Sequence, residues 1–155
     1  MEKIFFTGPK YNNQIEITAE NIPELYNDLI KGFPLYWKQG NYSCTFEIFT
    51  DDILQKRLRI CFYEELGLGL TYEQLYDRLF KGEIRRGVKA DLAVYDESKL
   101  ETVVDVYFEL YTSEGLLLPP ELAWKGIQYF IKTGGKSPEL KWITPDELPD
   151  SGNWC

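Results

Sequence analysis

The side chains in this sequence that could perform acid–base chemistry are neighbouring carboxylates. Acidic pairs occur at Asp51–Asp52, Glu64–Glu65 and Asp96–Glu97, among others. Two carboxylates can serve a glycosidase as general acid and base, or they can bind a divalent cation. Neighbours along a strand, however, point to opposite faces of the sheet. The spacing therefore favours solvated charges at turns over a shared site.

Other catalytic groups are scarce. The chain has no histidine, which is the side chain most often used for proton transfer at neutral pH and a common zinc ligand. Cys44, Cys61 and Cys155 are too scattered for a zinc site, and no histidine base can activate them. We interpret Cys44 and Cys61 as small buried hydrophobes of a protein in a reducing compartment. The GLGL stretch at 67–70 is predicted to be a turn and lacks the pattern of a phosphate-binding loop. The sequence thus predicts no enzyme, no cofactor and no metal site.

One stretch, GEIRRGVK, is locally basic. Arg85, Arg86 and Lys89 could meet phosphates while Tyr76 or Tyr95 stacks on bases. The net charge of −8 opposes this, because nucleic acids and anionic membranes are polyanions. A basic protein partner would instead be attracted, although acidity also serves solubility alone.

Length and composition indicate one globular domain. The 155 residues can bury a core, and the 15% of aromatic residues argues against disorder. No apolar run reaches the roughly 18 residues of a membrane span. The N-terminal MEKIFFTG is too short for a signal peptide, so we expect a cytoplasmic protein.

The first half of the chain combines strands with two predicted helices. Residues 3–6 and 14–18 are predicted strands, and Asn21 with Pro23 indicates the start of a helix. Two later segments alternate, which predicts an antiparallel pair of strands with inward side chains Cys44, Phe46, Ile48, Leu58, Ile60 and Phe62. The helical spacing of Leu75, Leu79 and Phe80 after a capping-type Thr71 then predicts a short helix over 72–81.

The clearest strand runs from Thr102 to Leu110. Its alternation places on one face a mixture of carboxylates and tyrosines, Asp105, Tyr107, Glu109 and Tyr111. Such a mixture is typical of a face open to solvent or to a partner.

The last third of the chain predicts a helix between two strands. Pro120 opens the helix, whose apolar stripe is formed by Leu122, Ala123, Gly126, Ile127, Phe130 and Ile131. Gly134 ends the helix, Pro138 prevents its continuation, and residues 140–143 form a final strand. The elements predict an α+β fold, with a mostly antiparallel sheet and helices packed on one face. We expect one domain over residues 1–155, with a loosely held tail from 143 to 155.

This last third resembles the first-numbered immunity-protein family of bacterial polymorphic toxin and contact-dependent inhibition systems. In that family a strand leads into a proline and a helix, which ends in a Phe-x-x-Thr-Gly phrase followed by a proline and a strand with tryptophan. The matching residues here are Pro119 or Pro120, Glu121, Ala123, Phe130, Thr133, Gly134, Pro138 and Trp142. The firm match covers about residues 116–143, and Gly135, Lys136 and Ser137 depart from the usual spacing.

The resemblance implies a single immunity-type domain that protects a bacterial cell from a cognate toxin. The implied partner is the C-terminal domain of that toxin, a basic nuclease or nucleic-acid deaminase, whose active site the immunity protein blocks. Direct binding of nucleic acid or membrane is not implied. The alternatives are a non-catalytic adaptor or regulatory domain that binds another protein, and, more weakly, a histidine-free enzyme.

Interfaces favour aromatic residues, together with charges that oppose those of the partner. The expected toxin-binding residues are therefore exposed carboxylates and aromatics, namely Asp51, Asp52, Glu64, Glu65, Asp96, Glu97, Asp105, Tyr107, Glu109, Tyr111 and Trp37.

Overall fold

A computed structural model describes residues 1–8, 14–32, 43–63, 66–107 and 110–154 of the chain. Its strands are β1 (Glu2–Thr7), β2 (Ile15–Glu16), β3 (Ser43–Thr50), β4 (Ile53–Tyr63), β5 (Gly67–Phe80), β6 (Glu83–Val94), β7 (Val103–Tyr107), β8 (Leu110–Ser113) and β9 (Lys141–Ile143). Seven of them form one antiparallel sheet in the order β2-β1-β3-β4-β5-β6-β9, and β7 pairs with β8 in a separate hairpin.

Two helices pack on one face of the large sheet. Helix α1 spans Ile22–Tyr26 and continues as a π-helical turn over Asn27–Lys31, and helix α2 spans Pro120–Thr133. Short 3-10 turns occupy Glu97–Lys99, Glu114–Leu116 and Pro145–Glu147. This architecture confirms the predicted α+β fold with helices on one face of a mostly antiparallel sheet. Among the described residues, no helix is long and apolar enough to span a membrane.

The main core lies between the sheet and the helices. Alternate residues of β3, β4 and β5 point into it, as the period of a half-buried strand requires. The fully or almost fully buried members include Phe46, Ile48, Leu58, Ile60, Leu68, Leu70 and Phe130. The predicted inward faces of β3 and β4 are therefore confirmed, and burial of Cys44 raises the pKa of its thiol well above the ordinary value.

Helix α2 packs on the large sheet through its apolar stripe and through its C-terminal end. Ala123, Ile127 and Phe130 are completely buried, and Trp124, which the predicted stripe omitted, is buried as well. Gly126 permits the close approach, because a Cβ there would lie 2.8 Å from a methyl carbon of Leu70. A residue without a side chain thus faces Leu70 where α2 packs on β5.

Residues of the family-like phrase have structural roles at both ends of α2 and just after it. Pro120 is the first helical residue, and Gly134 ends the helix with a left-handed φ of 72°. The Tyr72 hydroxyl donates a hydrogen bond to the Gly134 carbonyl at 3.1 Å, and the Trp142 indole N–H donates to the Ser137 carbonyl at 3.0 Å. Pro138 follows as an exposed residue.

Two predictions between residues 67 and 81 are wrong. Both the predicted turn at 67–70 and the predicted helix over 72–81 belong to β5, which pairs with β4 on one side and β6 on the other. Leu75 and Leu79 are four residues apart, a spacing that keeps them on one face of a strand as well as of a helix. Lys81 and Gly82 adopt positive φ angles of 49° and 79°. They form the two-residue turn that connects β5 to β6 in a hairpin. Pairing between these two strands therefore determines the structure of the segment.

The single strand predicted from Thr102 to Leu110 is also wrong. The chain reverses after β7, and Tyr107 pairs with Leu110 across the hairpin. Within the described part of the chain, β7 pairs with the strand that follows it and not with a strand of the large sheet.

A second, smaller core lies on the sheet face opposite the helices. It contains Leu92, Val94, Leu100, Leu116 and Ile143, with Leu148 packed against it. The C-terminal segment is bonded to this region, because Ser113 N–H donates to the Asn153 carbonyl at 2.8 Å and Asn153 N–H donates to Ser113 Oγ at 2.9 Å.

Replacement of Gly134 by alanine should lower the free energy of unfolding by about 1 kcal/mol, because an L-residue is strained in the left-handed region. Gly135→Ala is the matched control, since a Cβ at Gly135 would meet its neighbours no closer than 3.4 Å. Urea unfolding of both variants measures the difference. Equal stabilities would contradict the role assigned to Gly134.

Candidate functional site

The large sheet carries two distinctive surfaces at opposite ends. Strand β6 begins at a projecting hairpin, which we call the arm and define as residues 75–88 of β5 and β6. It ends beside a surface that we call the acid end, which consists of the exposed Leu66 and Tyr95 and of the carboxylates of Asp96, Glu97 and Glu114.

A pocket of about 290 Å³ opens at the acid end. Its apolar lining comes from Leu66, Tyr95, Val104 and Leu117, and its charged lining from Asp96, Lys99 and Glu114. Tyr95 is 54% exposed and Leu66 is 43% exposed. Large apolar side chains that are exposed to solvent beside a pocket are typical of a contact surface.

Local hydrogen bonds favour the ionised form of Asp96. Asp96 caps the turn at Glu97–Lys99 and accepts hydrogen bonds from Ser98 Oγ at 2.6 Å and from Ser98 N–H at 3.0 Å. These bonds favour the carboxylate, so they lower the pKa of Asp96 below its ordinary value. Asp96 therefore carries its charge at neutral pH.

Two lysines balance part of this charge. Lys99 lies 3.4 Å from Glu114, and Lys141 lies 2.6 Å from Glu97. Three of these side chains are more than half exposed and that of Glu114 is 39% exposed, so each pair contributes little to stability and opens readily. A partner's cation can replace either lysine at modest cost.

The pocket suits one long basic side chain. An arginine has an apolar stem that would lie against Tyr95 and Leu117, and a guanidinium group that would meet Asp96 and Glu114. The lining thus combines the apolar and acidic groups that a long basic side chain can contact.

Several of the sequence-predicted contact residues lie at or near the acid end. Asp96 and Glu97 belong to it, and the β7–β8 register places Asp105 opposite Tyr111. Val104, the neighbour of Asp105, lines the pocket. Tyr107 lies on β7, opposite Leu110.

Asp51 and Asp52 lie elsewhere. They form the turn between β3 and β4 with positive φ angles of 50° and 66°, and Asp51 pairs with the N-terminal amine at 2.9 Å. This turn is at the arm's end of the sheet, because β4 runs from it toward the acid end. The remaining predicted contacts, Trp37, Glu64, Glu65 and Glu109, lie outside the described residues.

The arm is the surface that sequence reasoning missed. Beyond the Lys56–Gln74 pair, β4 and β5 no longer share a register, while β5 and β6 stay paired as far as Phe80 and Glu83. Because residues 72–81 were predicted to form a helix, the hairpin was not predicted. The available signal was the Lys81–Gly82 step between two segments of similar length, since glycine favours the two-residue turns of hairpins.

The two faces of the arm differ. On the face continuous with the helix side, Phe80 has three cations around its ring, with Arg85 at 4.9 Å, Lys81 at 5.4 Å and Arg78 at 6.0 Å. Tyr76 packs over Gly87, where a Cβ would lie 2.5 Å from the ring. The opposite face carries Leu79 and Ile84, which are 75% and 76% exposed.

A buried ionic group lies between these two surfaces, on the sheet face away from the helices. Glu73, whose side chain is 8% exposed, accepts hydrogen bonds from Arg57 at 2.9 and 3.2 Å and pairs with Arg59 at 3.1 Å. The pKa of Arg57 is raised by its hydrogen bonds to Glu73. These bonds join β4 to β5 and indicate a structural role.

The described residues contain no cluster of three or more side chains suited to holding a metal ion. Comparisons with protein-family models, with curated proteins and with solved structures find no match for this chain.

Replacement of Ser98 by alanine should raise the pKa of Asp96 toward its ordinary value, because the hydroxyl bond is lost and only the backbone bond remains. A lowered pKa stabilises the fold above the unfolded value of about 4. The variant should therefore be less stable than the parent above about pH 4, and this difference should vanish as the pH falls through the lowered pKa. NMR titration of the Asp96 carboxyl carbon measures the shift, and an unchanged pKa would contradict the assignment.

Replacement of Lys81 by asparagine should stabilise the arm, because asparagine followed by glycine is preferred where both turn residues have positive φ. Gly82→Ala should weaken the arm for the converse reason. Amide hydrogen exchange at Leu79 and Ile84 should slow in the first variant and quicken in the second. Equal exchange rates in both variants would show that the turn does not limit the arm's stability.

Proposed function

We propose that the protein is an immunity protein that binds a cognate bacterial toxin domain and neutralises it by blocking the toxin's active site. The observation that carries the proposal is the acid end, where a pocket with an apolar lining is bordered by ionised Asp96 and by Glu114. The resemblance of residues 116–143 to an immunity-protein family points in the same direction.

The partner follows from the charge. A toxin that acts on nucleic acid needs a basic cleft, since it must attract phosphates. An arginine or lysine of such a cleft would enter the pocket and meet Asp96 and Glu114. These two carboxylates would take the place of the phosphates that the toxin otherwise binds. Inhibition is then stoichiometric, because one immunity protein occupies one cleft.

Attraction between an acidic protein and a basic toxin also sets the kinetics of binding. The chain carries a net charge of −8, so encounter with a basic domain is accelerated at low ionic strength. The association rate constant should therefore fall as salt is added, while dissociation depends mainly on the contacts at the acid end.

The test is co-expression with the toxin domain encoded directly upstream, in a sensitive host, followed by co-purification. We expect the host to survive and a 1:1 complex to be recovered. Death of the host without a complex would contradict the proposal for that pair. Recovery of a complex without survival would favour an adaptor that binds without neutralising.

The contact site is tested with a double variant, Asp96→Asn and Glu114→Gln. Asparagine can still accept the capping bond from Ser98, so the fold is kept while two charges are removed. We expect the dissociation constant to rise about tenfold or more, as loss of desolvated charge contacts costs a few kcal/mol.

Glu20→Gln is the matched control, because Glu20 is exposed beside β2, at the opposite edge of the sheet from β9. Its affinity should match that of the parent protein. Unchanged affinity in the double variant, or equal loss in the control, would contradict binding at the acid end.

A further inference from the structure

The exposed face of the arm is an apolar strip interrupted by one ion pair. Register pairs Leu75 with Val88, Asp77 with Arg86, and Leu79 with Ile84, so these six side chains follow one another on the same face. Leu79 and Ile84 are about three-quarters exposed, and Val88 is 48% exposed. Exposed aliphatic side chains in such an array mark an interaction surface.

The strip is complementary to a second copy of itself. An apolar pair lies at each end, and between them Asp77 and Arg86 lie 3.4 Å apart, with side chains that are 65% and 36% exposed. Arg86 also donates a hydrogen bond to the Leu54 carbonyl of β4. If a second strip is turned over by a half rotation about an axis that lies between the two strands and parallel to them, each apolar pair meets the same pair of the other copy and each Arg86 meets the other copy's Asp77. This is the self-complementary pattern that a two-fold interface requires.

We propose that the arm is a self-association surface on which two copies of the chain pack strip against strip, about a two-fold axis that is parallel to β5 and β6 and passes between Asp77 and Arg86. This interaction goes beyond the proposed toxin binding and uses the opposite end of the sheet. It therefore leaves the acid end of each copy accessible to a toxin.

The other face of the arm is less suited to this contact. There Phe80 is surrounded by Arg78, Lys81 and Arg85, whose like charges would repel a second copy of the same face. Tyr76 is committed to packing over Gly87. The strip is thus the face of the arm whose apolar side chains gain most from being covered.

The strip is small for an interface. A standard interface uses roughly 20–30 residues from each partner, whereas the strip provides six. We therefore expect a dimer that dissociates rapidly and forms only at high protein concentration.

The net charge of the chain determines how the strength of this dimer depends on salt concentration. Four basic and two acidic side chains give the arm a net charge of +2 in a chain of −8, which leaves −10 on the remainder. Two whole copies repel each other at long range, so screening by salt should strengthen a strip-to-strip dimer. A contact between the basic arm of one copy and the acid end of another would instead weaken with salt.

The decisive experiment is a charge exchange followed by sedimentation equilibrium of the full chain. Asp77→Arg places arginine opposite the partner's Arg86, and Arg86→Asp places aspartate opposite the partner's Asp77. Each variant alone should be at least tenfold weaker in self-association than the parent. A mixture of the two restores both opposite-charge contacts, so a mixed dimer should form where neither variant dimerises alone.

Apolar contacts are tested by the double variant Leu79→Ser and Ile84→Ser. Its dimer should be at least tenfold weaker, while Leu66→Ser, which removes a leucine at the acid end, should leave self-association unchanged. Circular dichroism would confirm that each variant is folded, since all these side chains lie outside both cores.

Three results would overturn the proposal. The first is a parent protein that stays monomeric at millimolar concentration in high salt. The second is a dimer that is insensitive to Leu79→Ser with Ile84→Ser, and the third is a mixture of charge variants that remains monomeric. Because no toxin is present, these results are independent of the fate of the proposed function.

Discussion

The backbone ladder between β5 and β6 is the interaction on which the rest of the structure depends. It runs without a break from the core pair Thr71–Leu92 to the exposed pair Phe80–Glu83. Its inner half presents Leu70 and Tyr72 to α2, and Lys136 reaches back from the loop after α2 to the buried Asp91 of β6 at 2.9 Å. Its outer half extends past β4, so the arm exists because these two strands are longer than their neighbours.

That ladder also separates the charges of the molecule. A strand pair that begins at a basic, partly apolar hairpin ends at carboxylates around a small pocket. The separation would allow the two proposed interactions, that of the acid end with a basic toxin cleft and that of the arm with a second copy, to occur at the same time. Both interactions rest on surface chemistry, and neither needs the α2 segment beyond its role in supporting the sheet.

Much of the fold is predictable from local patterns in the sequence, and the wrong predictions share a physical cause. The alternation in β3 and β4, and the Pro120-to-Gly134 limits of α2, were predictable because burial and helix ends leave strong local signals. The segment from 67 to 81 was not, because Leu75 and Leu79 fit one face of either element and only pairing with distant residues selects the strand. Asp96 and Glu97 were predictable as exposed charges. The pocket beside them was not, since it brings together Leu66, Val104 and Glu114 from separate elements.

The central claim is that the protein acts by binding a basic toxin domain at its acid end. Hydrogen exchange of the protein, alone and in the complex with the co-purified toxin domain, tests this most directly. The account predicts slower exchange of the amides from Tyr95 to Lys99 and from Glu114 to Leu117, with no change around Glu20. Protection confined to other surfaces, with unchanged exchange at the acid end, would contradict it.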